Sequence, residues 1–171
     1  MRLTDPEHGV DFDLNNDGIP ERLSWTRAGT NQGFLVLDRN SNGVIDDGTE
    51  LFGDFTPQST RRGEERNGFA ALRVLDEQAL GGNGDGFISE EDAVFADLRL
   101  WVDWNHDGVS QQAELGSLLD AGVLTIDLNY VESRRRDRYG NEFRYFSFAD
   151  ALRGEAVRHL MLVDVFFQTA R

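Results

Sequence analysis

Apolar positions in this chain come in short runs set between longer acidic, glycine-punctuated stretches, and the period of each run predicts its element. Arg22-Leu-Ser-Trp-Thr26 alternates and, after a turn containing Gly and Asn, meets Phe34-Leu-Val-Leu37, which predicts a β-hairpin. From Asn67 to Leu75 the pattern turns helical, with Phe69, Leu72 and Leu75 on one face. Ser89 is set as a helix N-cap with Asp92 three residues on, and Ala93, Val94, Ala96, Leu98, Leu100 and Trp101 predict a helix of about three turns. Leu115 to Leu119 is expected to complete a short helix ended by Ala121-Gly122. Residues 123–128, 141–148 and 159–167 read as strands. The arginines at 134–136 and 138 are expected at a solvated hairpin tip, because Glu132, Asp137 and Glu142 flank them. Met1 to Val10 is expected to be short and ragged, and Thr56 to Arg66 an exposed loop. The expectation is one domain, 1–171, with a β-rich half (1–55) holding two loops, a helical half (56–122) and C-terminal strands (123–171).

The polar stretches are as regular as the apolar ones. Asp103, Asn105, Asp107 and Glu114 put side-chain oxygens at positions 1, 3, 5 and 12 of a twelve-residue loop, with Gly108 at position 6 and the Val109 carbonyl at position 7. A hard divalent cation asks for this: about 6–8 oxygens near 2.4 Å, a glycine for the sharp turn, and a late carboxylate that closes the sphere. Three other stretches carry variants of the pattern. Asp13, Asn15, Asp17, the Ile19 carbonyl and Glu21 close early and run into a strand. Asp38, Asn40, Asn42, the Val44 carbonyl and Asp46 close one position late, at Glu50. Asn83, Asp85, the Phe87 carbonyl and Asp92 fill a loop whose first position falls on Gly81, so Asp76 must swing in across a bulge to supply the missing oxygen. Ile88 and Ser110, each at position 8, are the expected bridge between the last two loops.

Composition narrows the chemistry. The chain has 171 residues and a net charge of −14, and its seventeen cationic side chains are all arginine. Such a chain repels itself when no cation is bound, and nucleic acid or an anionic membrane is a poor partner. Without cysteine there is no disulfide, zinc-thiolate site or thiol nucleophile. No apolar run approaches the roughly 18 residues of a membrane span, and Met1-Arg-Leu-Thr-Asp5 has no apolar signal core. The expectation is export to the exterior or the cell surface without a cleaved N-terminal signal, as a piece of a larger chain. His8, His106 and His159 are scattered, with His106 expected to face solvent, and nothing resembles a hydrolase triad or phosphate cradle.

The stretches Phe34 to Asp54, Asn67 to Leu72, Asn83 to Ile88, Leu98 to Ser110 and Glu114-Leu115 resemble, in order and spacing, the self-processing module of iron-regulated Frp-type RTX proteins over roughly residues 5–130. The resemblance implies an α+β fold, EF-hand-like, with paired calcium loops and short helices packed with β-hairpins, loose until two to four calcium ions bind. It also places a calcium-triggered cleavage at Asp5-Pro6, where the Asp5 carboxyl would attack its own carbonyl carbon. An ordinary N-terminal turn is the other reading of that dipeptide. Lacking lysine, the chain has no side-chain amine of its own to capture such an anhydride. Three functions stand at this point: a calcium-dependent folding module contacting neighbouring domains, a self-cleaving module, and a dockerin-like module that offers helices between Asp76 and Leu119 to another protein.

Overall fold

The alternating segments form strands, but their partners lie farther along the chain than local pattern suggests. The computed structural model describes residues 1–170; Arg171 lies outside the described residues. In chain order come β1 (Val10–Phe12), β2 (Glu21–Leu23), β3 (Phe34–Val36), α1 (Gly68–Leu75), β4 (Phe87–Ser89), β5 (Arg99–Trp101), β6 (Leu115–Ser117), β7 (Val123–Asp127), β8 (Val131–Arg136), β9 (Glu142–Arg153) and β10 (Ala156–Phe166). They make three sheets: β1-β2, β3-β5-β6, and the path β10-β9-β7-β4 with β8 also on β9.

The EF-hand-like α+β arrangement is not what forms. The fold is mostly β, and its single α-helix among the described residues has eight residues. Where residues 89–101 were expected to be helical, Ala93–Ala96 makes one 3-10 turn and the chain then extends as β5. The reason lies in two cores. Leu98 packs with Leu72, Ile88, Phe95, Leu118 and Ile126, whereas Trp101 packs with Val10, Phe12, Leu23, Trp25 and Val36. A helix buries one stripe, while an extended segment presents side chains to both sides. Leu115 likewise pairs with Trp101 in β6 instead of continuing a helix. The helical surface on which a dockerin-like reading depends is therefore absent.

The expected hairpin between residues 22–26 and 34–37 is replaced by one local and one long-range pairing. β2 pairs with β1 and β3 with β5, which brings Phe34 opposite Trp101. Gly9 makes the first approach feasible: a Cβ there would lie 1.8 Å from the Leu23 carbonyl oxygen. Nor is the N-terminus ragged, since Leu3 is buried and bridges Thr26, and the Thr4 amide donates to the Trp25 carbonyl at 3.0 Å.

The helix from residue 68 and the last strands lie where their patterns point, whereas the arginines expected at a hairpin tip do not. Asn67 caps α1 by accepting the Ala70 amide at 2.8 Å, and the helix buries Phe69, Ala70, Ala71 and Leu72. β9 and β10 pair from Ala156–Arg153 to Phe166–Glu142, longer than the alternation implies because the strands continue to the turn at Gly154. The arginines at 134–136 lie in β8 itself; the turn follows at Asp137 to Gly140.

Candidate metal centre

Four acidic turns share one local conformation, set by short polar side chains folding back on their own backbone. In each, the first carboxylate accepts the amide of the glycine at position 6: Asp13 from Gly18 at 2.8 Å, Asp38 from Gly43 at 2.8 Å, Asp76 from Gly86 at 3.0 Å and Asp103 from Gly108 at 2.9 Å. The position 3 amide oxygen accepts from position 5 in every case, Asn15 from Asp17, Asn40 from Asn42, Asn83 from Asp85 and Asn105 from Asp107. Position 5 in turn accepts from position 7, at Ile19, Val44, Phe87 and Val109.

The backbone follows the same rule. Positions 4 and 6 are left-handed throughout, with φ of 57° and 86° at Asn16 and Gly18, 59° and 87° at Ser41 and Gly43, 76° and 88° at Gly84 and Gly86, and 62° and 75° at His106 and Gly108. Asn16, Ser41 and His106 are the non-glycine residues with positive φ among the described residues. Such backbone costs roughly 1 kcal/mol or more per residue and persists where its surroundings hold it.

The closing acids fold back in their turn. Glu21 accepts the Leu14 amide at 2.9 Å; Glu50 accepts Arg39 at 2.9 Å and Asp46 at 3.0 Å. Asp92 accepts Asn83 at 3.1 Å and Ser89 at 2.8 Å, and Glu114 accepts Trp104 at 2.9 Å. Asp76 reaches its turn across the Gly81-Gly82 run, and a Cβ on Gly82 would lie 2.1 Å from the Asp76 backbone.

Glu50, Asp76, Asp92, Asp103 and Glu114 are buried, and among the described residues none is in an ion pair. Burial pushes the Glu50 carboxyl above its usual range against the pull of its amide partners. Asp13, Asp17 and Glu21 each offer an oxygen within 4.8 Å of the others. The side chains of Ile19, Val44, Phe87 and Val109 point to solvent; the Val109 carbonyl accepts the Gln111 amide at 3.1 Å. The donors are all oxygen, the set that suits a hard cation and not a thiophilic one.

The turns do not pair as expected. Ile88 pairs with Ile126 in the β4–β7 ladder, and Ser110 meets Ile45 instead, its Oγ accepting the Ile45 amide at 2.6 Å. Asp13 bridges Asp47, and the Gly48 amide donates to the Asp13 carbonyl at 2.9 Å. The turns beginning at Asp13, Asp38 and Asp103 thus surround the aromatic core, and the one beginning at Asp76 lies apart beside α1. Sequence reasoning missed the partners of Trp25, Trp101 and Ser110, which lie 78, 13 and 65 residues away.

Asp5 precedes a turn that runs from Pro6 to Gly9, and it lines a cleft of about 800 Å³ together with His8, Arg22, His106 and Tyr139. Asp5 Oδ1 accepts the His8 amide at 2.9 Å and lies 2.7 Å from His8 Nδ1. That bond holds the Asp5 carboxyl below its usual range and raises the His8 imidazole. His106 is half-buried rather than turned to solvent, with Nε2 2.9 Å from the His8 carbonyl oxygen.

A family model described as the SPM domain matches residues 1–168. Iron-regulated protein FrpA of Neisseria meningitidis serogroup C is 41% identical over 133 residues, which is 78% of this chain and 11% of that relative. The chain therefore spans about a tenth of the length of the relative it matches.

Proposed function

The chain belongs to the SPM domain family, and from that premise we propose that it is a calcium-binding module whose folding is coupled to the metal, within a larger secreted, RTX-related protein. The likeness to FrpA supports the coarser half of this reading. The finer half is carried by one observation: four separate turns repeat the same carboxylate, amide and left-handed backbone pattern. In this reading the ligands are Asp13, Asn15, Asp17 and Glu21; Asp38, Asn40, Asn42, Asp46 and Glu50; Asp76, Asn83, Asp85 and Asp92; and Asp103, Asn105, Asp107 and Glu114. The carbonyls of Ile19, Val44, Phe87 and Val109 complete the sets.

Electrostatics gives the reason for coupling. Carboxylates 4 Å apart repel by about 4 kcal/mol at an effective dielectric near 20, and a divalent ion among them reverses the sign. Metal binding then contributes directly to folding. Calorimetric titration with calcium tests the reading: two to four ions per chain are expected, with affinities between about micromolar and millimolar. A chain that takes up none refutes it. A lanthanide of similar radius should compete for the same turns.

A second reading, cleavage at Asp5-Pro6, is favoured by the Asp5 carboxylate, held anionic just before a turn where the Gly9 amide donates to the Pro6 carbonyl at 3.2 Å. A side-chain oxygen of Asp5 would bond to its own carbonyl carbon, the bond to the Pro6 nitrogen would break, and that nitrogen would leave with a proton from solvent. Water would then open the anhydride to two carboxyls. Intact mass with and without calcium decides: loss of a peptide ending at Asp5 supports cleavage, and an unchanged mass rejects it.

A further inference from the structure

The Asp5-Pro6 peptide is suspended between two anchors, and both lead to Asp103. Upstream, the Thr4 amide donates to the Trp25 carbonyl at 3.0 Å, and the Trp25 indole donates to Asp103 Oδ2 at 2.8 Å. Downstream, the His8 carbonyl is 2.9 Å from His106 Nε2, and the His106 amide donates to Asp103 Oδ1 at 2.6 Å. A carbonyl only accepts, so His106 Nε2 carries the proton in this contact.

The left-handed backbone of His106, φ 62°, is what turns its ring out of the 103–114 turn and toward the N-terminal segment. Its Nδ1 is buried and makes no hydrogen bond, so the Nε2 contact with the His8 carbonyl is the hydrogen bond that places the ring. Gly108 of the same turn presses on β1, since a Cβ there would lie 2.9 Å from Val10 Cβ. The turn and the segment 5–10 are therefore in register with each other.

We propose that His106 is a positioning residue through which occupancy of the 103–114 turn fixes the Asp5–Gly9 segment. Asp103, Asn105, Asp107 and Glu114 would hold the ion, whose charge would fix the left-handed step at His106; its imidazole then clamps His8, which in turn orients the Asp5 carboxylate. With the turn empty, the downstream anchor is released. This inference rests on the calcium reading of that turn and extends it to control of the N-terminal peptide.

The test compares the full chain with His106→Asn and His106→Gln, using amide hydrogen exchange at His8 and Gly9 and calcium calorimetry on the same samples. Asn accepts the left-handed backbone but is too short to reach His8, whereas Gln carries an N–H that reaches it. Calcium should slow exchange at His8 and Gly9 by at least about tenfold in the parent chain. His106→Asn should lose most of that protection while keeping the calcium stoichiometry, and His106→Gln should restore it. Equal protection in the parent and His106→Asn, with calcium bound to both, overturns this inference alone. An absence of calcium binding in the parent overturns the calcium reading along with it.

Discussion

The indole of Trp25 donates a hydrogen bond to Asp103 Oδ2 at 2.8 Å, in a buried site joining residues 78 positions apart. Trp101 meets Trp25 edge-on at 5.4 Å and donates its own indole N–H to Glu114 Oε2 at 3.3 Å. The first and last acids of one turn therefore each rest on a buried tryptophan. The aromatic core and the acidic turn are a single structural unit.

Trp25→Phe keeps an aromatic ring and deletes the donor. An acceptor deprived of a buried partner costs about 1–3 kcal/mol. The variant should lose stability in that range by urea denaturation with calcium present, and its tryptophan emission should respond less to calcium. Unchanged stability would mean that the Asp103 bond contributes nothing.

Asp103→Ala should be more damaging than Asp76→Ala. Asp103 accepts the amides of His106, Asp107 and Gly108 together with the Trp25 indole, whereas Asp76 accepts the amides of Gly84 and Gly86. At about 1 kcal/mol per hydrogen bond the gap is roughly 2 kcal/mol. Calcium calorimetry should in addition lose one ion from each variant. Equal losses of stability would argue against this ordering.

Asp164 should make stability depend on pH. Burial pushes its carboxyl up to about 7, with repulsion from Asp54 adding to the shift and the Gly68 amide and Arg144 opposing it. Because the folded value lies above the ordinary aspartate value of about 3.9, the folded chain holds this proton more tightly than the unfolded one. The resulting stability is complete below about pH 4 and is lost as pH rises through about 7. Asp164→Asn keeps an oxygen for the Gly68 amide, 2.8 Å away, without the charge. Its advantage over the parent should therefore grow between pH 4 and pH 8, to a few kcal/mol, on the order of the 1.4 kcal/mol per pH unit that linkage allows. Parallel stability curves would contradict this assignment.

Local features were legible in the sequence; long-range ones were not. The shared conformation of the acidic turns follows from residues within a dozen positions, as in Asp38, Asn40, Asn42 and Gly43. The cap at Asn67 and the apolar face from Phe69 are equally local. By contrast, Ser89 to Trp101 carries an apolar density that suits a helix, and the choice against one is made by β3, from a distant part of the chain, and β6, which together flank Trp101. Pairing of Ile45 with Ser110 in preference to Ile88 likewise depends on how the two cores divide the chain. Strand type is local, whereas strand partnership is a property of the whole fold.

Thermal unfolding of the chain in excess calcium and in excess chelator tests the coupling of metal to fold most directly. A site saturated at 100 times its dissociation constant contributes about 2.7 kcal/mol, and at 2–4 °C per kcal/mol several such sites should separate the two melting temperatures by at least about 10 °C. Coincident melts would show that these acidic turns hold their shape without an ion and would contradict the account.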